Sequence, residues 1–338
     1  MTLAEPAGKR QGTDTRHDAS RSNRPVRNHV RDVARALLQI GLGFRISDAS
    51  LHPDGTRVAI ASASSGWVHV YRPDDEPILE WRVKPGNFLN GVESVRFSPD
   101  GSRLVTAAGK SVQAWTVDTG LEVFKFRHPG SLECIAYSRD SRRLASSDLH
   151  GVVRISDAAN GRELVKWHVD SSVPNEMVNY VGAVAFSPDG RLLATGSSDA
   201  TARIWNVANG KLVRSIATAE FIDKPSPDLW LEHVAFSPDG TQLATANRVA
   251  RVWDTQTGRG LHTISEAFSI SAITFWPVGH QLATGSWRDD CLRTWDSDTG
   301  KALSALQHPG PVYAITFSRD GRRLAASSKG AVHIWLIP

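Results

Sequence analysis

The side chains that could do chemistry are few and scattered. Asp289 and Asp290 stand side by side, a pairing able to share acid–base work, and Asp296-Ser297-Asp298-Thr299-Gly300 spaces its carboxylates like the start of a calcium loop. The sister segments DTQTG (254–258) and NVANG (206–210) lie at the same point of a recurring pattern without those carboxylates, so 296–300 reads as a turn. Twelve histidines include no close pair at metal-ligand spacing. Cys134 and Cys291 make neither a C-x-x-C motif nor a disulfide framework, and both read as small buried hydrophobes. There is no phosphate-cradling G-x-x-x-x-G-K-[ST], no H-E-x-x-H and no G-x-S-x-G. The expectation is a chain that is not an enzyme, with no catalytic residue, no metal and no cofactor.

Charge is the other chemical signal, and its location decides its meaning. Of 39 Lys and Arg and 35 Asp and Glu, residues 1–35 hold eight and four, which leaves 36–338 balanced at 31 of each. The excess therefore belongs to a leader without aromatic residues. Such a segment has too little apolar surface to offset its ordering entropy and is expected to be disordered, at least to Val30. Its basic residues are spread singly among acids and polars, with nothing to stack on bases, so a solvated linker is the plainer reading than a nucleic-acid arm. VRDVARALLQI (30–40) has apolar residues at helical spacing. No run reaches the ~18 apolar residues of a membrane helix and the start lacks a signal's apolar core, which makes a cytoplasmic protein with no membrane partner the default.

The elements that must position any site come from a repeat. An apolar residue followed by a turn recurs at LHPDG (51–55), FSPDG (97–101), YSRDS (137–141), FSPDG (186–190), FSPDG (236–240), FWPVG (275–279) and FSRDG (317–321). In S-P-D-G, proline presets φ, aspartate bonds back to the backbone and glycine accepts φ > 0, which makes each a hairpin turn. A second strand follows each turn, and a third ends at Tyr71, Trp115, Ser156, Trp205, Trp253, Trp295 and Trp335. In five units a turn glycine (Gly120, Gly161, Gly210, Gly258, Gly300) then leads into a fourth strand. The spacing predicts seven units of four short antiparallel strands, a to d.

On these motifs the chain resembles the WD40-repeat β-propellers: S-P-D-G at 98–101, 187–190 and 237–240, with Trp253-Asp254 and Trp295-Asp296 beside Thr-Gly turns. The resemblance covers everything after the leader and implies an all-β, seven-bladed propeller, in a family whose members serve as interaction platforms. It also implies a buried hydrogen-bond set with an aspartate six residues before the tryptophan, matched by Asp199 with Trp205 and Asp289 with Trp295. Lys329 takes that place before Trp335, Ser156 replaces the tryptophan of the third blade, and a histidine nine residues before the strand-a anchor occurs only at His128 and His308.

Closure and loop length complete the reading. The last unit stops at its third strand, in AVHIW. ALLQI (36–40) ends 11 residues before Leu51, the spacing found from 126 to 137, 264 to 275 and 306 to 317, so residues 36–40 are expected as the outer strand of the last blade. The domains are thus a basic leader, 1–35, and a propeller, 36–338. The a–b turns keep their length while d–a connections lengthen to 16, 19 and 20 residues before Phe97, Phe186 and Phe236, all on one face. These insertions carry Phe88, Met177, Tyr180, Phe221, Ile222 and Trp230, and the b–c connections on that face add Trp67, Arg248, Trp287 and Arg288. Aromatics and arginine are what binding hot spots favour. The function expected is a non-catalytic scaffold binding a protein or peptide through Trp67, Phe88, Met177, Tyr180, Phe221, Trp230, Arg248, Trp287 and Arg288. The rival readings are an enzyme with a central-channel site and nucleic-acid binding through the leader.

Overall fold

A computed structural model describes residues 35–74, 76–86, 91–169, 180–218, 230–266 and 269–337, the side chains of 35–38 excepted. It consists of seven four-stranded antiparallel sheets, and no helix occurs among the described residues. Blade 1 comprises β2 (Ile46–Leu51), β3 (Val58–Ser62), β4 (Val68–Pro73) and β5 (Pro77–Val83). Blade 2 has β6 (Val92–Phe97), β7 (Arg103–Ala108), β8 (Ser111–Thr116) and β9 (Glu122–Arg127); blade 3 has β10 (Leu132–Tyr137), β11 (Arg143–Asp148), β12 (Val152–Asp157) and β13 (Glu163–His168). In blade 4 run β14 (Val181–Phe186), β15 (Leu192–Ser197), β16 (Thr201–Asn206) and β17 (Leu212–Ala217), and in blade 5 β18 (His233–Phe236), β19 (Gln242–Ala246), β20 (Ala250–Asp254) and β21 (Gly260–Ile264). Blade 6 is β22 (Ile270–Phe275), β23 (Gln281–Ser286), β24 (Cys291–Asp296) and β25 (Ala302–Gln307). Blade 7 joins β26 (Ala314–Phe317), β27 (Arg323–Ser327) and β28 (Ala331–Leu336) to β1 (Arg35–Gly41) as its outer strand.

That outer strand closes the ring. β1 pairs antiparallel with β28, from Arg35 opposite Leu336 to Gly41 opposite Ala331, and Leu42 N–H donates to the Gly330 carbonyl just beyond. The helical spacing of 30–40 is overridden over 35–41, because the strand edge of β28 offers a full ladder of backbone partners. Ile40 is buried with Ile46, Leu51, Ile60, Val332 and Ile334. The first and last blades thus share one core.

The strands differ in what they bury. Middle strands such as β7 and β15 are enclosed along nearly their whole length, whereas β9, β13 and β25 carry only exposed and half-buried residues and β17 buries only Ile216, with Phe124 and Phe126 of β9 turned inward. Four tryptophans lock blades internally: the indole Nε1 of Trp115, Trp205, Trp253 and Trp295 donates to Oγ1 of Thr106, Thr195, Thr245 and Thr284, at 3.1, 2.9, 2.9 and 2.8 Å. In blade 3 the Arg154 guanidinium compensates for the missing indole, donating to Ser156 Oγ at 2.9 Å and lying 3.9 Å over the Phe126 ring.

The aspartates expected beside the tryptophans have a different direct partner. Asp199 Oδ2 meets Arg203 Nη2 at 2.6 Å, and Asp289 Oδ2 meets Arg293 Nη2 at 2.5 Å. Each arginine sits two residues before its tryptophan on the same strand. With the indole already satisfied by threonine, an enclosed carboxylate needs a cation, and arginine supplies one in fork geometry. At blade 3 the histidine arrangement survives: His128 Nδ1 lies 3.3 Å from Asp148 Oδ2 and Nε2 lies 2.7 Å from Ser146 Oγ, all buried.

Candidate functional site

The inner strands β2, β6, β10, β14, β18, β22 and β26 surround a central channel, within which a cavity of about 480 Å³ is lined by Arg96, Cys134, Glu232 and His233. A recurring irregularity shapes its mouth on the face of the d–a connections. β2, β6, β10, β14 and β22 each carry a bulge at their second residue, which are Ser47, Glu93, Glu133, Gly182 and Ser271. A bulge re-aims the side chain it carries. Ser47 and Ser271 use this to donate to the Val92 and Val312 carbonyls of the next blade. Glu93 and Glu133 instead bring carboxylates to the mouth, and Glu232, at the entry to β18, adds a third.

The charges of Glu93 and Glu232 bear on Glu133. Burial, then the charge of Glu93, then that of Glu232 push Glu133 up to about 7, even though it accepts a 3.2 Å hydrogen bond from Tyr180 Oη. Burial also raises Glu93 and Glu232, and for Glu93 the nearby Arg45 opposes the shift. Deeper in, Asp48 is enclosed and accepts from Ser94 Oγ (3.1 Å), Val95 N–H (2.9 Å) and the Arg96 guanidinium. Burial raises the Cys134 thiol and lowers the His233 imidazole to about 4, so both are neutral near pH 7.

The expected binding residues divide into three groups. Phe88, Met177 and Phe221, with Ile222, lie outside the described residues. Tyr180 and Trp230 come together, ring centroids 5.5 Å apart, and Tyr180 donates to the Glu133 carboxyl, so an aromatic pair stands beside that carboxylate. The others are distributed around the same face. Trp67 is half-buried under the Arg82 guanidinium at 4.7 Å and the Lys84 ammonium at 5.6 Å. Trp287 is 52% exposed with its ring edge-on to Tyr313 at 5.9 Å, and Arg288 and Arg248 are exposed. Glu93, Glu133, Glu232 and the exposed Leu149 were not legible as members of this site. The three glutamates read as ordinary polar positions in separate units, and only the ring of blades, with bulges at Glu93 and Glu133, gathers them. Among the described residues no group of three or more His, Cys, Asp or Glu is arranged to hold a metal ion.

A ring of seven four-stranded antiparallel blades, closed by pairing the first strand with the last, defines a β-propeller. The family model described as WD domain, G-beta repeat matches residues 82–116, 176–206, 227–254 and 300–335. With these repeats matched and the remaining blades built alike, the chain is a WD40-repeat β-propeller. It is 30% identical over 123 residues to WD repeat-containing protein 55 of Arabidopsis thaliana, covering 36% of this chain and 34% of that protein. It is also 31% identical over 70 residues to the intraflagellar transport protein 122 homolog of Homo sapiens, covering 20% of this chain and 5% of that protein. The matches therefore span about a third or less of those relatives' lengths. WD40 propellers are in general protein-interaction scaffolds without catalysis of their own.

Proposed function

We propose that this propeller is a non-catalytic scaffold that captures a protein or peptide partner on the face of the d–a connections, seating a basic side chain at the channel mouth. The observation that carries the reading is the meeting of Tyr180 and Trp230 beside Glu133, whose carboxyl is held protonatable near neutral pH by burial and then by the charge of Glu93. A cation placed there would relieve the repulsion among Glu93, Glu133 and Glu232 and lie against aromatic faces. Exposed Trp287, half-buried Trp67 and exposed Leu149 extend the surface around the rim.

The test is affinity capture from native lysate with the intact chain beside Trp230→Ala and Glu133→Gln, read by mass spectrometry. A partner retained by the intact chain should be lost with both variants, and truncating the central aromatic should cost about 2 kcal/mol or more. Capture of the same proteins by all three chains, each folded by circular dichroism, would refute the assignment of this face.

A further inference from the structure

The opposite face holds an irregularity where blades 2 and 3 meet. Six of the seven a–b turns place glycine at left-handed φ, from Gly190 at 69° to Gly279 at 79°. The turn of blade 3 has Ser141 there, at φ 61°, a conformation side chains avoid and one that persists where surroundings enforce it. Its Oγ accepts the Asp100 N–H of blade 2 at 3.0 Å.

At two other seams an arginine opening strand b reaches the next turn: Arg143 Nη1 donates to the Gly190 carbonyl at 2.9 Å, and Arg323 Nη1 to the Gly55 carbonyl at 2.6 Å. Arg103 holds the same position at the seam of blades 2 and 3, but its Nη1 is buried with no hydrogen-bond partner among the described residues. Tyr137 Oη, from the end of β10, is buried and unpartnered as well. Both residues line a cavity of about 340 Å³, together with Asp100, Ser141, Arg142 and Asp157.

We propose that this cavity binds a carboxylate, one oxygen taking Arg103 Nη1–H and the other Tyr137 Oη–H. Both orphaned groups are donors, and burial raises the Tyr137 phenol so that it keeps its proton. One oxygen of each carboxylate already present is engaged within its own turn. Asp100 Oδ1 accepts from Ser98 Oγ (2.6 Å), Ser102 N–H (3.0 Å) and Ser102 Oγ (2.9 Å), and Asp157 Oδ1 accepts from Ala159 N–H at 2.8 Å. Arg103 and Arg142 balance Asp100 and Asp157 in charge, which suits a monoanion and disfavours a phosphate dianion.

The chain has four tyrosines, so ¹³Cζ-tyrosine labelling gives a direct readout, with Tyr137 assigned by Tyr137→Phe and the other three signals reporting the fold. Titration of the full chain with acetate at constant ionic strength should move the Tyr137 signal saturably, while acetamide and phosphate should not. Arg103→Gln should weaken acetate roughly tenfold or more, the cost of a charge-assisted hydrogen bond. Tyr137→Phe, followed by ¹⁵N-arginine signals, should weaken it comparably yet leave the ligand-free melting temperature unlowered, because the hydroxyl it removes is unpaired. N-acetyl-glycyl-glycine beside its C-terminal amide separates the sources. Binding tighter than acetate points to a peptide tail, and binding no tighter points to a small free carboxylate. Equal response to acetamide, preference for phosphate, no saturable response, or undiminished binding by both variants would overturn the proposal.

Discussion

Substituting Ile40 by alanine tests ring closure at the point where it concentrates its energy. Ile40 is 2% exposed and packs in one core with Ile46 and Leu51 of blade 1 and Val332 and Ile334 of blade 7. Removing three carbon groups forfeits about 0.8 kcal/mol each, roughly 2.4 kcal/mol in transfer free energy. The cavity left between two sheets that cannot collapse brings the loss to about 3–4 kcal/mol. For a propeller of roughly 300 residues, unfolding entropy near 2.1 cal/mol/K per residue converts that into a melting-temperature drop of about 5–6 °C. The assay is a thermal melt followed by near-ultraviolet circular dichroism, with Gln39→Ala as the control. Gln39 is the exposed neighbour, opposite His333 in the same ladder, and should shift the melt by under ~1 °C. If Ile40→Ala melts with its control, the pairing of β1 with β28 does not bear on stability and the closure argument fails.

The histidines predict an acid limb. Burial, then the neighbouring His308, lower His333 to about 4, below its ordinary value of 6.5. A group depressed in this way favours the unfolded state as it charges, so stability is complete above pH 6.5 and falls towards pH 4, by up to about 3 kcal/mol. His333→Asn should flatten that fall in a pH series of melts. Glu133 has the opposite sign: a carboxyl raised to about 7 supports the fold while protonated, and its contribution is lost as pH rises from 4.5 through 7. Glu133→Gln should therefore melt higher than the parent at pH 8 and no higher at pH 4.5. Trp295→Phe leaves Thr284 without the indole donor and reduces packing, which should cost about 1–3 kcal/mol in urea unfolding, whereas exposed Trp287→Phe should cost less than about 0.5.

Turn chemistry made the fold legible. S-P-D-G and its variants recur at constant distance from the next strand, and the 11-residue spacing from Ile40 to Leu51 marks 36–40 as a strand; β1 extends one residue beyond each end of that span. The candidate site was half legible. Tyr180 and Trp230 stand out as aromatics in long insertions, but Glu93, Glu133 and Glu232 come from three blades; the first two sit on bulges and the third just before β18, and neither placement leaves a mark in the sequence. The arginines beside Asp199 and Asp289 escaped for a related reason. A charged residue two positions before a tryptophan reads as solvent-facing until the blade shows that side to be enclosed.

The pairing of β1 with β28 also sets the order of events when the chain is made. Between Gly41 and its partner Ala331 lie about 290 residues, which take roughly 15–60 s to synthesise at ordinary elongation rates. For that interval the first blades emerge beside a strand whose partner has not been translated. The free edge of β1 is then open to another nascent chain, and a second copy's β28 satisfies the same ladder. Polysome spacing and elongation rate thus become determinants of whether the ring closes on itself or is exchanged between copies.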